Sequence, residues 1–130
     1  MRYDLSLVHE LCGELGLRSH LVPDDSVEVD LGGDAVLCFV NAEYEKDCLI
    51  GFKDTGWHFH DDLGFIDKHG HVTELNYLDI LTGLREGRVL VCERWESGSL
   101  TDRWLVHSEF NNELRYMQEG QELRIWKAPR

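Results

Sequence analysis

Residues 27–40 read VEVDLGGDAVLCFV, and this stretch decides the fold. In its first part, Val27, Val29 and Leu31 alternate with acidic residues, which is the pattern of a strand with one buried face. A glycine pair follows and predicts a tight turn, after which the apolar run 35–40 predicts a strand buried on both faces. We therefore predict a β-hairpin whose second strand lies near the centre of a sheet.

Regular periodicities continue on both sides of this hairpin. Apolar residues at three- and four-residue spacing predict helices over 4–17 and 76–86, the second capped by Asn76 and ended by Gly87. Short segments bounded by turn residues predict further strands at 48–52, 57–60, 71–75, 89–95, 100–106 and 123–126. Short connections between successive strands favour antiparallel pairing. We predict one α+β domain over residues 1–130, a curved antiparallel sheet packed on one or two helices.

Composition indicates a folded protein of a reducing cytoplasm. The chain has 130 residues, 42% of them hydrophobic, which suffices for a packed core without staples. No basic segment followed by a long apolar run opens the sequence, and no stretch approaches the ~20 apolar residues of a membrane span. The four cysteines form no C-x-x-C pair and fall mostly in apolar runs, so we expect buried free thiols in a reducing cytoplasm.

The net charge of −12 restricts the classes of partner. Nucleic acids and anionic membranes are bound through lysine and arginine, so an acidic chain without a compact basic patch is expected to bind neither. Residues 1–62 hold 14 acidic and 4 basic side chains, a field that attracts a basic protein. The candidate contacts for such a partner lie in polar loops: Asp24, Asp25, Glu43, Tyr44, Glu45 and Asp47.

A histidine cluster offers an alternative function. His58 and His60 fall on one face of an extended segment, about 6.5 Å apart along the strand. If 57–60 and 71–75 pair as a ribbon, His71 approaches them, and Asp61 or Asp62 could add a carboxylate. Such a set of ligands suits zinc or another divalent ion. It predicts a metal-binding protein, with hydrolysis as one activity that the metal could support.

Two segments, GWHFHDD at 56–62 and YLDILTGLREGRVLV at 77–91, resemble a pattern in small bacterial proteins, some of which resemble immunity partners of polymorphic toxins. The resemblance implies a bacterial cytosolic protein that binds and neutralises a toxin domain. For a binding protein of this kind we expect no cofactor. It supplies no set of functional residues.

Three hypotheses follow from the sequence. The leading one is an acidic, non-enzymatic protein that occludes a basic partner, with no catalytic residue assigned. The second is the divalent-metal protein built on the histidines. The third is a structural domain without a site.

Overall fold

The computed structural model describes residues 2–23, 25–41, 48–66, 69–109 and 117–130. The fold is α+β, as predicted. Within the described residues its elements are α1 (Leu5–Glu14), β1 (Arg18–Val22), β2 (Ser26–Gly32), β3 (Ala35–Asn41), β4 (Cys48–Phe52), β5 (His58–His60), β6 (Leu63–Ile66), β7 (Val72–Leu75), α2 (Tyr77–Glu86), β8 (Val89–Glu96), β9 (Ser99–His107) and β10 (Gln121–Trp126).

The described strands form three antiparallel sheets. Five strands follow the order β1-β2-β3-β4-β5, three follow β10-β8-β9, and β6 pairs with β7 alone. The predicted hairpin is confirmed, because β2 pairs with β3 and Val29 lies opposite Leu37. Strand β3 lies at the centre of the five-stranded sheet, as its apolar run predicted.

Both helices pack their apolar stripes against the sheets. Val8 and Cys12 of α1 and Ile80 and Leu84 of α2 are fully buried in one core with the inward face of β2 and β3. The caps that the sequence predicted are present. Asp4 accepts a hydrogen bond from Leu7 at the start of α1, and Gly87 ends α2 with φ +83°, a conformation that glycine adopts without strain.

Strand pairing differs from the sequence prediction at the histidine segment. Strand β5 pairs with β4, and β7 pairs with β6, so the ribbon between 57–60 and 71–75 does not form. The alternation in 57–60 predicts that Trp57 and Phe59, opposite the histidines, are well buried, and this prediction is wrong. Both pack against the core but are only half-buried, because β5 is the edge of its sheet. Strands β1 and β6 were not predicted, since neither carries a long apolar alternation.

The cysteines behave largely as predicted. All four are free thiols, with Cys12, Cys48 and Cys92 buried and Cys38 partly exposed. Burial raises the pKa of Cys12 to about 11, so its thiol stays protonated and unreactive near neutral pH. In the described part of the chain, no helix is long and apolar enough to cross a membrane.

Candidate functional site

Tyr3 and Asn41 join the start of the chain to the end of β3. The Tyr3 backbone N–H donates to Asn41 Oδ1 at 2.8 Å, and Asn41 Nδ2 donates to the Tyr3 carbonyl at 2.8 Å. Both residues are buried. One amide side chain therefore satisfies both backbone polar groups of Tyr3, which would otherwise be costly to bury.

The Tyr3 side chain extends this connection to the turn after β5. Its hydroxyl donates to the Asp61 carbonyl at 3.0 Å, while the Cys48 thiol donates to Asp61 Oδ1 at 3.5 Å. Burial, reinforced by Cys48 and by the carboxylates of Asp61 and Asp62, raises the pKa of Tyr3 well above its ordinary value. The phenol is thus a permanent donor that holds the turn in place.

Four exposed carboxylates converge on this network: Asp4, Asp25, Asp61 and Asp62. Asp4 follows Tyr3 directly, and the Asp25 carbonyl accepts a hydrogen bond from the Asn41 backbone at 3.2 Å. They come from three separate parts of the chain, and we call them the acidic end. Exposed carboxylates at one end of a domain create a negative field that attracts an approaching cation.

An open hollow of about 470 Å³ borders the acidic end. Tyr3 and Asp4 line one side, and Leu21 and Pro23 line another. Arg2 also borders it, so the hollow is not uniformly negative. It offers an apolar wall beside a carboxylate, which suits the aliphatic stem and charged head of a lysine or arginine.

Of the partner contacts predicted from sequence, Asp25 is exposed and belongs to the acidic end. Asp24, Glu43, Tyr44, Glu45 and Asp47 lie outside the described residues. Sequence reasoning missed Asp4 as a contact, because its position identified it only as a helix cap. Asp4 is placed at the site by its neighbour Tyr3, which is held by the buried Asn41, 38 positions away in the sequence.

His58 and His60 form an exposed pair on β5. Their ring centres are 5.3 Å apart, with the planes nearly perpendicular. His58 Nδ1 lies 3.0 Å from the Gly56 carbonyl, and His60 Nδ1 lies 3.2 Å from the Cys48 carbonyl. A carbonyl only accepts, so each Nδ1 carries the proton, and Nε2 is the nitrogen with the lone pair in the neutral ring.

The other predicted metal ligands do not join this pair to form a larger cluster. His71 precedes β7 on a different hairpin, where its ring lies 6.2 Å from that of His69. Asp61 directs Oδ1 to the Cys48 thiol, and Asp62 is exposed beside it. Among the residues that the model describes, no three histidine, cysteine or acidic side chains are grouped to hold a metal ion.

Cys48 is a nucleophilic side chain that contacts the acidic end through Asp61. It is buried, and burial raises the pKa of its thiol. A neutral, buried thiol is a poor nucleophile, so its contact with Asp61 serves to position the turn.

Comparison with models of protein families, with curated proteins and with solved structures finds no match to this chain. The resemblance to toxin immunity partners therefore stays a prediction, and geometry and charge carry the functional argument.

Proposed function

We propose that this chain is a protein-binding module that captures a basic protein partner at the acidic end. One observation carries the proposal: a network around buried Tyr3 and Asn41 fixes the backbone of Asp25 and Asp61, and the side chains of Asp4, Asp25, Asp61 and Asp62 at this end are exposed. In finer form, we propose an immunity-type protein that neutralises a basic toxin domain by covering its functional surface.

Electrostatics supports this proposal in preference to a solubilising role for the charge. Carboxylates spread evenly over a surface would keep a protein soluble without any buried support. Here Asn41 donates a backbone hydrogen bond to the Asp25 carbonyl, and the Tyr3 hydroxyl donates to the Asp61 carbonyl. Asn41 in turn holds Tyr3, so the positions of Asp25 and Asp61 are fixed by one network. A concentrated field of this kind speeds the encounter with a basic surface.

Reversing charge at the acidic end should slow association. In the variant Asp25→Lys with Asp62→Lys, we expect the association rate with the partner to fall about tenfold at low ionic strength, because steering fields act mainly on the rate of encounter. The partner would be recovered on immobilised protein, identified, purified and then measured by stopped-flow or surface plasmon resonance across a salt series. Where that partner is a toxin, the variant should also protect cells less well.

A matched variant controls for net charge. Asp54→Lys with Glu119→Lys changes the charge equally, at exposed positions in the turn after β4 and the turn before β10. It should leave the association rate within about twofold of wild type. If both variants slow association equally, or if the protein recovered is acidic, the acidic end is not the binding site.

The histidine pair supports a second candidate function, chelation of a divalent transition-metal ion by His58 and His60. Two imidazoles that share one tetrahedral ion, each about 2.0–2.1 Å from it, have ring centres roughly 5 Å apart. The observed spacing is 5.3 Å. Backbone carbonyls that fix Nδ1–H and direct Nε2 to the ion are a common second shell for histidine ligands.

Metal titration tests this second candidate. We expect one Zn²⁺ per chain in untagged protein, measured by equilibrium dialysis and elemental analysis. Loss of a residue that only hydrogen-bonds to a metal ligand lowers metal affinity by about 10–100-fold. His58→Gln removes a ligand itself, so we expect its Zn²⁺ affinity to fall by at least that factor. His71→Gln, a histidine on the other hairpin, is the matched control and should bind as wild type does. Equal binding by all three proteins would remove this candidate.

A further inference from the structure

The β6–β7 hairpin presents two different faces. Leu63, Phe65 and Leu75 point inward and are buried, and the Phe65 ring meets His107 of β9 edge-on at 5.3 Å. The inner face thus packs into the core, and Phe65 contacts the three-stranded sheet. A two-stranded ribbon is marginally stable alone, so this inner face accounts for its order.

The outer face carries an exposed apolar pair. Ile66 and Val72 are direct cross-strand partners, and each is 62% exposed. The next pair on the same face, towards the base of the hairpin, is Gly64 opposite Glu74. Single exposed apolar residues are ordinary on protein surfaces, whereas two that adjoin on the outer face of a ribbon form a small contiguous patch.

Both strands of the hairpin are fixed to the acidic end. Strand β6 starts directly after Asp61 and Asp62, and β7 leads through Asn76 into α2. The Tyr77 hydroxyl of α2 accepts a hydrogen bond from the Asp4 backbone at 3.2 Å, and its ring lies 4.6 Å from that of Tyr3. The apolar patch therefore lies on an element whose two ends join the carboxylate cluster.

We propose that Ile66 and Val72 form the apolar contact for the same basic partner, an inference that rests on the proposed function. The partner has a shallow apolar depression rimmed by lysine or arginine. Charge complementarity selects this occupant, because the exposed Glu74 lies on the hairpin between the patch and Asp61 and Asp62 of the acidic end. An apolar centre with a charged rim is the usual anatomy of a protein interface. The carboxylates draw the partner in, and the apolar pair slows its release.

Site-specific photo-crosslinking in the native host tests the inference. A benzophenone amino acid would replace Ile66 on the hairpin, Ser6 beside the hollow of the acidic end, or Met117, an exposed apolar control that is 46% exposed. We expect the same basic protein, identified by mass spectrometry, to be crosslinked at positions 66 and 6 and not at 117. Circular dichroism and thermal unfolding would verify that each variant is folded.

The outcomes separate this inference from the proposed function. Adducts at position 6 alone support the acidic end as the binding site and overturn the hairpin contact. The absence of adducts at both 6 and 66 overturns both proposals. A basic protein crosslinked only at 66 supports the hairpin contact and removes the acidic end. An adduct at 66 with a second copy of this chain or with an acidic protein, or equal labelling at 117, overturns the inference.

Binding measurements with the crosslinked protein, once purified, give the size of the effect. Ile66→Thr with Val72→Thr keeps β-branched side chains that suit a strand while removing apolar surface. We expect the Kd to rise at least tenfold, mainly through faster dissociation, because central apolar anchors dominate binding energy. Met117→Thr should change the Kd less than twofold. An unchanged Kd in the hairpin variant would overturn the inference.

Discussion

Replacing Arg103 by methionine is expected to destabilise the protein by about 3–5 kcal/mol, the usual cost of leaving one partner of a buried ion pair alone. Arg103 Nη2 lies 2.8 Å from Glu93 Oε2, and its Nε donates to the same oxygen at 2.9 Å. The side chains are only 3% and 2% exposed. The substitution would therefore leave the Glu93 carboxylate buried without its cation.

This ion pair also connects the two larger sheets. The Arg103 guanidinium lies 5.7 Å from the centre of the Phe52 ring on β4, and the Arg103 carbonyl accepts a hydrogen bond from Thr55 at 3.3 Å. On the other side, Trp95 Nε1 donates to Glu93 Oε1 at 3.3 Å. Arg103→Met removes the contact of the guanidinium with Phe52 of β4 as well as the charge, while the backbone hydrogen bond to Thr55 remains. The lost contact places the expected cost at the upper end of that range.

Urea unfolding of a double-mutant cycle measures the effect. The double variant Glu93→Leu with Arg103→Met should recover most of the lost stability, because a buried ion pair is often replaceable by apolar residues of similar volume. The two single changes should then be strongly non-additive. A loss below about 1 kcal/mol for Arg103→Met alone would show that solvent reaches the pair in solution.

Removing the Asn41 side chain should have the second-largest effect. In Asn41→Ala, the buried Tyr3 backbone N–H and carbonyl both lose their partner, and each unsatisfied group costs about 1–3 kcal/mol. We expect a total loss of about 2–4 kcal/mol, measured by urea unfolding. Because Asn41 holds Tyr3, and Tyr3 holds Asp61, the same change should also weaken binding of the basic partner.

A second asparagine provides the control. Asn76 caps α2 at an exposed position, and Asn76→Ala should cost only about 1 kcal/mol with little effect on partner binding. Binding would be compared at a temperature where every variant is fully folded. If Asn41→Ala is as mild as Asn76→Ala, the Tyr3 network does not organise the acidic end.

The sequence by itself determined the local structure. Strict alternation fixed the faces of β2, the glycine turn joined it to β3, and the caps at Asp4, Asn76 and Gly87 bounded the helices. Each of these features depends on residues within a few positions of one another, so period and cap chemistry suffice to find it. The α+β class followed from the order of these elements.

Only the tertiary structure decided which distant residues meet. Short strands such as β5 and β7 carry too little pattern to choose a partner. Each pairs with the strand directly before it in the chain, β4 and β6, and this pairing separated His71 from His58. The burial of Glu93 could not be foreseen either, because a charged residue in a strand is expected at the surface unless its partner is known. Asn41 meets Tyr3 across 38 positions for the same reason: buried polar groups are paired through space, by packing that no local pattern encodes.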